Sequence, residues 1–214
     1  MKKSISVHDE DAATYDQQTL DYEYFAPDVM FGMCYEFIKP GEKLLDIGIG
    51  TGLSSRLFAR SNLKVFGLDG SEQMLEACRA KGFAYDLKCV DITETPWPYA
   101  DRYFPYIISS GLLHFFPELD FAVKEVARII KANGIFAFTI AVSPEKTDGS
   151  EGIYDKIDTE WGVPVFAHKS AYINAVLEKY GFKLLKKQRL LMKGGTDTEN
   201  SLLFAVYVVK SGNS

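Results

Sequence analysis

Histidine and cysteine are scarce in this chain of 214 residues, with three of each. Cys34, Cys78 and Cys89 show no metal-ligand spacing, and an odd count makes a poor disulfide framework. They read as small buried residues. The expectation is therefore no metal site and a reduced, cytoplasmic setting. Long apolar runs are missing too. Nothing approaches the roughly 20 residues that cross a bilayer, and the first residues lack the apolar core of a signal peptide, so no membrane insertion is expected. Nor is there an excess of basic residues. Lys and Arg number 24 against 29 Asp and Glu, a net charge of −5, which gives no overall pull toward nucleic acid. Internal repeats and low-complexity tracts are also absent. What remains is ordinary globular composition, 47% hydrophobic and 25% charged, at a length that fits one domain over residues 1–214.

One stretch organises that domain: Leu44-Leu45-Asp46-Ile47-Gly48-Ile49-Gly50-Thr51-Gly52. Lys43 to Ile47 is apolar enough for a central parallel strand, covered on both faces. Three glycines at alternate positions then allow a sharp turn and a close approach of backbone to ligand. Thr51 and Ser54 can cap the helix that follows. A dinucleotide fingerprint would need a glycine at position 53. Leucine stands there, and the third glycine comes one place early. That spacing suits a ligand whose amino-acid end lies along the loop, such as S-adenosylmethionine.

The chain around this turn alternates strand and helix. Residues 1–26 form a polar arm with Tyr15, Tyr22 and Tyr24, either a frayed terminus or a flap over a pocket. A helix is predicted over Pro27–Ile38 and another from the turn to about Arg60. Strands are predicted over Leu63–Leu68, Ala84–Val90, Tyr103–Ser109 and Ile135–Val142. Helices fall at Ser71–Lys81, Pro117–Lys131 and Ser170–Tyr180. Thr95-Pro96-Trp97-Pro98 is a loop. Residues 143–169 make a long, acidic, aromatic insertion expected to cover the substrate pocket. Phe182–Met192 and Ser201–Val209 follow with no helix between them and only Gly194-Gly195 in the link, so they should pair antiparallel.

Three strands close on Asp46, Asp69 and Asp91, at intervals of 23 and 22 residues. Each interval is the length of one strand–helix repeat and implies right-handed crossovers. In an open parallel sheet the ligand lies beyond the carboxyl ends of the strands, so these aspartates should converge on one crevice. Asp69 can accept from two vicinal ribose hydroxyls, because a carboxylate has two acceptor oxygens. Asp91 can reach an exocyclic adenine amine, Ile92 and Met74 can sandwich the ring, and Asp46 can hold the loop or a ligand ammonium group. Each is also a residue type that caps helices or forms turns. His114, just past strand four, is a candidate general base or merely a pocket-lining residue. His168 reads as a neighbour of the last helix cap.

Together these segments resemble class I S-adenosylmethionine-dependent methyltransferases of the small-molecule type. The glycine-rich turn, Gly67-Leu68-Asp69-Gly70-Ser71 with Met74-Leu75, Val90-Asp91-Ile92, Ile107 to Phe116 and Lys131 to Ile135 are similar to that family's successive motifs. The resemblance implies an α/β, Rossmann-like seven-stranded sheet of order 3-2-1-4-5-7-6, with strand 7 antiparallel and helices on both faces. It implies methyl transfer from the sulfonium to an acceptor by in-line displacement, with S-adenosylhomocysteine as product. By position, Gly48, Gly50 and Gly52 would line the methionine part, Asp69 would bind the ribose, and Gly70, Met74, Asp91 and Ile92 would hold the adenine. Ser109 and Ser110 would lie near the methionine amino group, and Tyr15 would close over the cofactor. Phe115 replaces the histidine that usually follows His114, which weakens a catalytic role for His114.

No Asn-Pro-Pro-aromatic run follows strand four. The acceptor is therefore expected to be a small, partly apolar molecule rather than a nucleic acid, and the chain a monomer or homodimer. Two rival readings share part of the pattern: a non-catalytic S-adenosylmethionine-binding regulator or scaffold, and a nicotinamide dehydrogenase, which Leu53 disfavours.

Overall fold

In a computed structural model of the chain, residues 14–144, 152–159, 162–192 and 202–212 are described. His8, Ala13, Trp161, Gly194 and Gly195 lie outside them. The first helices are α1 (Tyr15–Asp21) and α2 (Ala26–Cys34). Then come β1 (Lys43–Ile47), α3 (Arg56–Arg60), β2 (Lys64–Asp69), α4 (Glu72–Ala80), β3 (Ala84–Cys89) and β4 (Phe104–Ser109). The chain continues through α5 (Asp120–Ile129), β5 (Ile130–Ala141), β6 (Tyr154–Ile157), β7 (Val165–His168), α6 (Ser170–Lys179), β8 (Phe182–Met192) and β9 (Leu202–Ser211).

Seven strands form one sheet in the order β3-β2-β1-β4-β5-β9-β8, and β6 with β7 forms a separate pair. Strands β1 to β5 run parallel. β9 is antiparallel to β5 and to β8. The expected sheet is present, with the last strand in sequence inserted antiparallel; only the inserted hairpin moves the strand numbers.

Adjacent residues of the parallel strands serve opposite faces. Leu45, Ile47, Phe66 and Leu68 pack on one side with α5 and α6 residues such as Val126 and Ile173. Leu44, Val65, Tyr106 and Ile108 pack on the other with Met30 of α2, Phe58 of α3 and Leu75 of α4. Both faces are covered, which is why β1 and β2 carry near-continuous apolar runs. Burial at about 25 cal/mol per Å² of apolar surface drives this layering.

Three details differ from expectation. β5 begins at Ile130, and its register with β4 shifts between Phe104 and Tyr106. The extra residues are taken up around Asn133, at φ +61°. Trp97 is no loop ornament: it is 1% exposed, and its indole N–H donates to the Ile92 carbonyl at 2.9 Å. Its backbone N–H donates to Glu125 at 2.8 Å, and Arg128 pairs with the same carboxylate. Cys34 and Cys78 are buried, but Cys89 is exposed, because β3 is an edge strand.

Candidate functional site

β1 ends at Ile47 and the chain turns at once. Gly48 and Ile49 both donate their N–H groups to the Leu68 carbonyl, at 2.8 and 3.0 Å. Gly48, Gly50 and Gly52 all have positive φ (71°, 53° and 85°), a region where a Cβ costs roughly 1–2 kcal/mol. The three glycines do different work. A Cβ on Gly50 would meet nothing within 4 Å, so this residue opens onto the cavity. A Cβ on Gly48 would lie 2.6 Å from Leu112. One on Gly52 would lie 2.4 Å from Phe83 and 2.8 Å from Cys78, so Gly52 seats the turn against α4 and the segment after it rather than lining the cavity.

Asp69, at the tip of β2, organises the polar end. One carboxylate oxygen accepts from Gly50 N–H at 2.7 Å and the other from Ser71 N–H at 2.9 Å. Ser71 caps α4 by accepting from Met74 N–H at 3.1 Å. Asp69, Gly70, Ser71, Met74, Ile92, Gly48, Gly50, Ser110 and Tyr15 line a cavity of about 360 Å³. The rest of its described lining includes Leu112, Phe115, Phe116 and Pro117 with Val163, Pro164 and Phe166 of the hairpin region. Among the described residues, no His, Cys, Asp and Glu cluster could hold a metal ion.

The three strand-tip aspartates do not share this cavity. Asp46 is 1% exposed beneath the turn, where Ser55 donates its hydroxyl to it at 2.5 Å. Burial pushes its pKa up to about 7, with Asp69 adding to the rise and the Ser55 bond opposing it. Asp46 thus braces the loop, and it feels Asp69 without lining the cavity. One oxygen of Asp91 accepts from the backbone N–H and the hydroxyl of Thr93, at 2.9 and 2.6 Å. This is the local turn bonding an aspartate favours after a strand, and the cavity wall there is Ile92. Ser109 is fully buried and donates to the Ile47 carbonyl at 2.9 Å, tying β4 to β1. Its neighbour Ser110 reaches the cavity.

The arm is a flap. α1 carries Tyr15 over the glycine turn, and Asp16 beside it is held twice. Thr51 and Lys81 donate to its two carboxylate oxygens, each at 2.5 Å. Tyr24 was no candidate beyond being one of the arm's tyrosines, yet its hydroxyl bonds Thr139 at 2.9 Å and Ser110 at 3.4 Å. Thr139 in turn accepts from Gly111 N–H at 2.9 Å. Burial raises the pKa of Tyr15 and of Tyr24, so both phenols stay protonated at neutral pH.

His114 does not face the ligand space. It is 5% exposed, with Phe115 and Phe204 rings at 4.3 and 5.2 Å. His168 ends β7 next to Lys169, the N-cap of α6, as expected, and is fully buried, stacked on Tyr172. Burial pushes its pKa down to about 4, so it is neutral at pH 7. The signal for the hairpin wall was its aromatic content. Phe166 belongs to the aromatic insertion expected to cover the pocket, and it lines the cavity.

A nucleoside–amino-acid cofactor fits these residues. Gly50 leaves open space where a side chain would stand. Met74 and Ile92 offer apolar surface beside a carboxylate with about four acceptor sites, enough for the turn and two vicinal hydroxyls together.

Residues 45–138 match the family model described as a methyltransferase domain. Malonyl-[acyl-carrier protein] O-methyltransferase of Serratia marcescens is 32% identical over 100 residues, which span 47% of this chain and 38% of that protein. The chain spans 35%, 38% and 44% of the first three curated relatives it matches, well under their full length. Among solved structures, Burkholderia thailandensis 1,6-didemethyltoxoflavin-N1-methyltransferase, with bound 1,6-didemethyltoxoflavin and S-adenosylhomocysteine, superposes with a TM-score of 0.69 at 13% identity. The match covers 98% of this chain and 88% of that one. The [4+2]-cyclase SpnF superposes with a TM-score of 0.68 at 19% identity, covering 88% and 82%. Such distant likenesses show the fold alone. Over residues 45–138 the chain is thus similar to a methyltransferase domain, and its fold is that of these solved structures.

Proposed function

We propose that this protein transfers a methyl group from S-adenosylmethionine to a small-molecule acceptor. The observation that carries the reading is Asp69, a carboxylate set at a strand tip inside a cavity, gripped by the N–H groups of Gly50 and Ser71 and flanked by Met74 and Ile92. Bound there, S-adenosylmethionine would supply an activated methyl whose carbon–sulfur bond breaks, its electron pair staying on sulfur, as an acceptor lone pair bonds the carbon.

The chain's own work is binding and alignment, which can supply most of the rate in a displacement of this kind. Asp69 takes the ribose hydroxyls, and Met74 and Ile92 hold the base. Gly48 and Gly50 let the main chain lie against the amino-acid end. Asp16 holds the flap down through Thr51 and Lys81. The Tyr24–Thr139–Gly111 bonds fix the floor beside Ser110. A proton released by the acceptor passes to water, since the Tyr15 and Tyr24 phenols stay protonated and His114 is turned away.

A cavity of about 360 Å³ falls within the range of small-molecule sites. We further propose that residues 1–214 act as one unit, without nucleic acid or a membrane partner. Among the described residues no helix is long and apolar enough to cross a membrane.

Titration calorimetry with S-adenosylhomocysteine and with NADH, followed by tritiated-methyl transfer across a metabolite library, tests the reading. The expected result is binding of S-adenosylhomocysteine alone and labelling of at least one acceptor. Binding of NADH alone would replace the cofactor assignment. Tight S-adenosylhomocysteine binding with no transfer to any acceptor would point to a regulator.

A further inference from the structure

We propose that the acceptor is a flat, uncharged, conjugated molecule, and that Phe166 sets which shapes are accepted. The inference rests on the reading that the Asp69 end of the cavity holds the cofactor. Among the described residues, the remaining lining comes from two segments far apart in sequence: Leu112 with Phe115, Phe116 and Pro117, and the hairpin region with Val163, Pro164 and Phe166.

None of those seven side chains carries a charge. A carboxylate or phosphate moved from water into such a lining loses its hydration with no ion to replace it, which costs several kcal/mol. Aromatic walls favour flat partners instead. Offset-stacked and edge-to-face ring pairs gain about 0.5–1.5 kcal/mol beyond area burial.

The two segments are also tied to the rest of the fold, so they form a firm lining rather than a soft surface. Strand alternation in β7 turns Val165 and Ala167 inward, against Ala141 and Phe204. Phe166, between them, faces the other way, into the cavity. Its ring is braced edge-on by Tyr154 across the hairpin, with centroids 4.9 Å apart. Ser143 ties the strand to the main sheet, donating its hydroxyl to the Ala167 carbonyl at 2.7 Å and its N–H to the His168 carbonyl at 3.0 Å. The facing wall is fixed through the same corner. Leu119 N–H donates to the Tyr172 hydroxyl at 2.8 Å, and the Tyr172 ring stacks on His168 of β7. Tyr172 thus links both walls. Among the described residues Ser110, backed by Thr139 and Tyr24, brings a hydroxyl to the lining, so one hydroxyl or ring nitrogen on the acceptor would point there.

Three probes of one carbon skeleton test this on protein saturated with S-adenosylhomocysteine: 1-naphthol, 1-naphthyl phosphate and decahydro-1-naphthol. Binding is read by saturation-transfer NMR and calorimetry. The expected order is 1-naphthol tightest, with the saturated alcohol several-fold weaker and the phosphate at least about tenfold weaker. Phe166→Ala should weaken 1-naphthol about tenfold, roughly 1.4 kcal/mol, while S-adenosylhomocysteine binds as before. Phe166→Leu should fall between wild type and Phe166→Ala, and it serves if the alanine variant misfolds. Naphthyl phosphate binding as tightly as naphthol would overturn the inference, as would naphthol binding that ignores both substitutions, or no naphthol binding to a protein that binds S-adenosylhomocysteine. Failure of S-adenosylhomocysteine itself to bind would strike the cofactor reading, and this inference with it; its own titration separates the two failures.

Discussion

At the β1–β2 end of the cavity the polar contacts run between main chain and a single carboxylate. At the hairpin end they give way to rings and aliphatic side chains. The first end is built within one strand–turn–helix stretch and its neighbour: Gly50 and Ser71 donate to Asp69, and Ser71 caps α4. The second is assembled from the segment after β4 and from an insertion after β5. A site made by backbone depends on a few residue types at fixed spacing, so it tolerates little change. A site made by side chains can change its ligand by exchanging one ring while the sheet stays as it is. One end can thus keep one cofactor while the other is free to specify different acceptors.

The substitution with the largest expected effect strikes where the two ends touch. Gly48 sits at φ +71°, and a Cβ there would lie 2.6 Å from Leu112 of the apolar wall. Gly48→Ala should lower stability by about 2–5 kcal/mol, left-handed strain plus overpacking, and weaken S-adenosylhomocysteine as well. Urea unfolding measures the first; an unchanged midpoint would mean that the two ends are not in contact through this residue.

Asp69→Ala should act on the polar end, weakening S-adenosylhomocysteine by about 1–3 kcal/mol because buried hydroxyls lose their acceptor. Calorimetry decides, and an unaltered dissociation constant would remove Asp69 from the site. Asp46 should behave differently although it lies on the next strand. Its folded pKa of about 7 stands above the unfolded value near 3.8. Between those values the folded state binds more protons, so the group's stabilisation is complete below pH 4 and is lost as pH rises to 7. The slope is at most about 1.4 kcal/mol per pH unit. Asp46→Asn should flatten that slope in unfolding measured from pH 4 to 7; a slope that persists would assign it to other groups.

The smallest effect is expected at the flap. Asp16 is 43% exposed and Lys81 34%, so Asp16→Ala should cost stability less than about 1 kcal/mol. Its readout is faster dissociation of S-adenosylhomocysteine in stopped flow, a difference that added salt should shrink in wild type. Equal off-rates at low salt would show that the flap does not hold the ligand.

The reading from residues alone was good where a rule is local. Strand spans other than β5 and the closing antiparallel pair followed from periodicity and glycine positions, whereas Ser55, not Thr51 or Ser54, stands at the N-cap of α3. Asp69 was legible because a carboxylate after a buried strand and before a capped helix has few places to go. The same rule placed Asp46 and Asp91 in the crevice beside it, and here local competition won. Ser55 holds Asp46 beneath the turn, and Thr93 offers Asp91 two donors nearby. Gly52 serves packing against Phe83 and Cys78, and Ser109 joins two strands. Residue type could not separate these uses from ligand binding, since each needs the same atoms.

The amino-acid order by itself determined the parallel sheet, the glycine turn and the acidic strand tip, because their causes are interactions between residues close in the chain. Only the tertiary structure decided that α1 lies against the turn, that Tyr24 meets Thr139, and that Phe166 lines the same cavity as Phe115 and Phe116. Those contacts join segments far apart in sequence. Their partners are chosen by the packing of whole layers, which no short run of residues encodes.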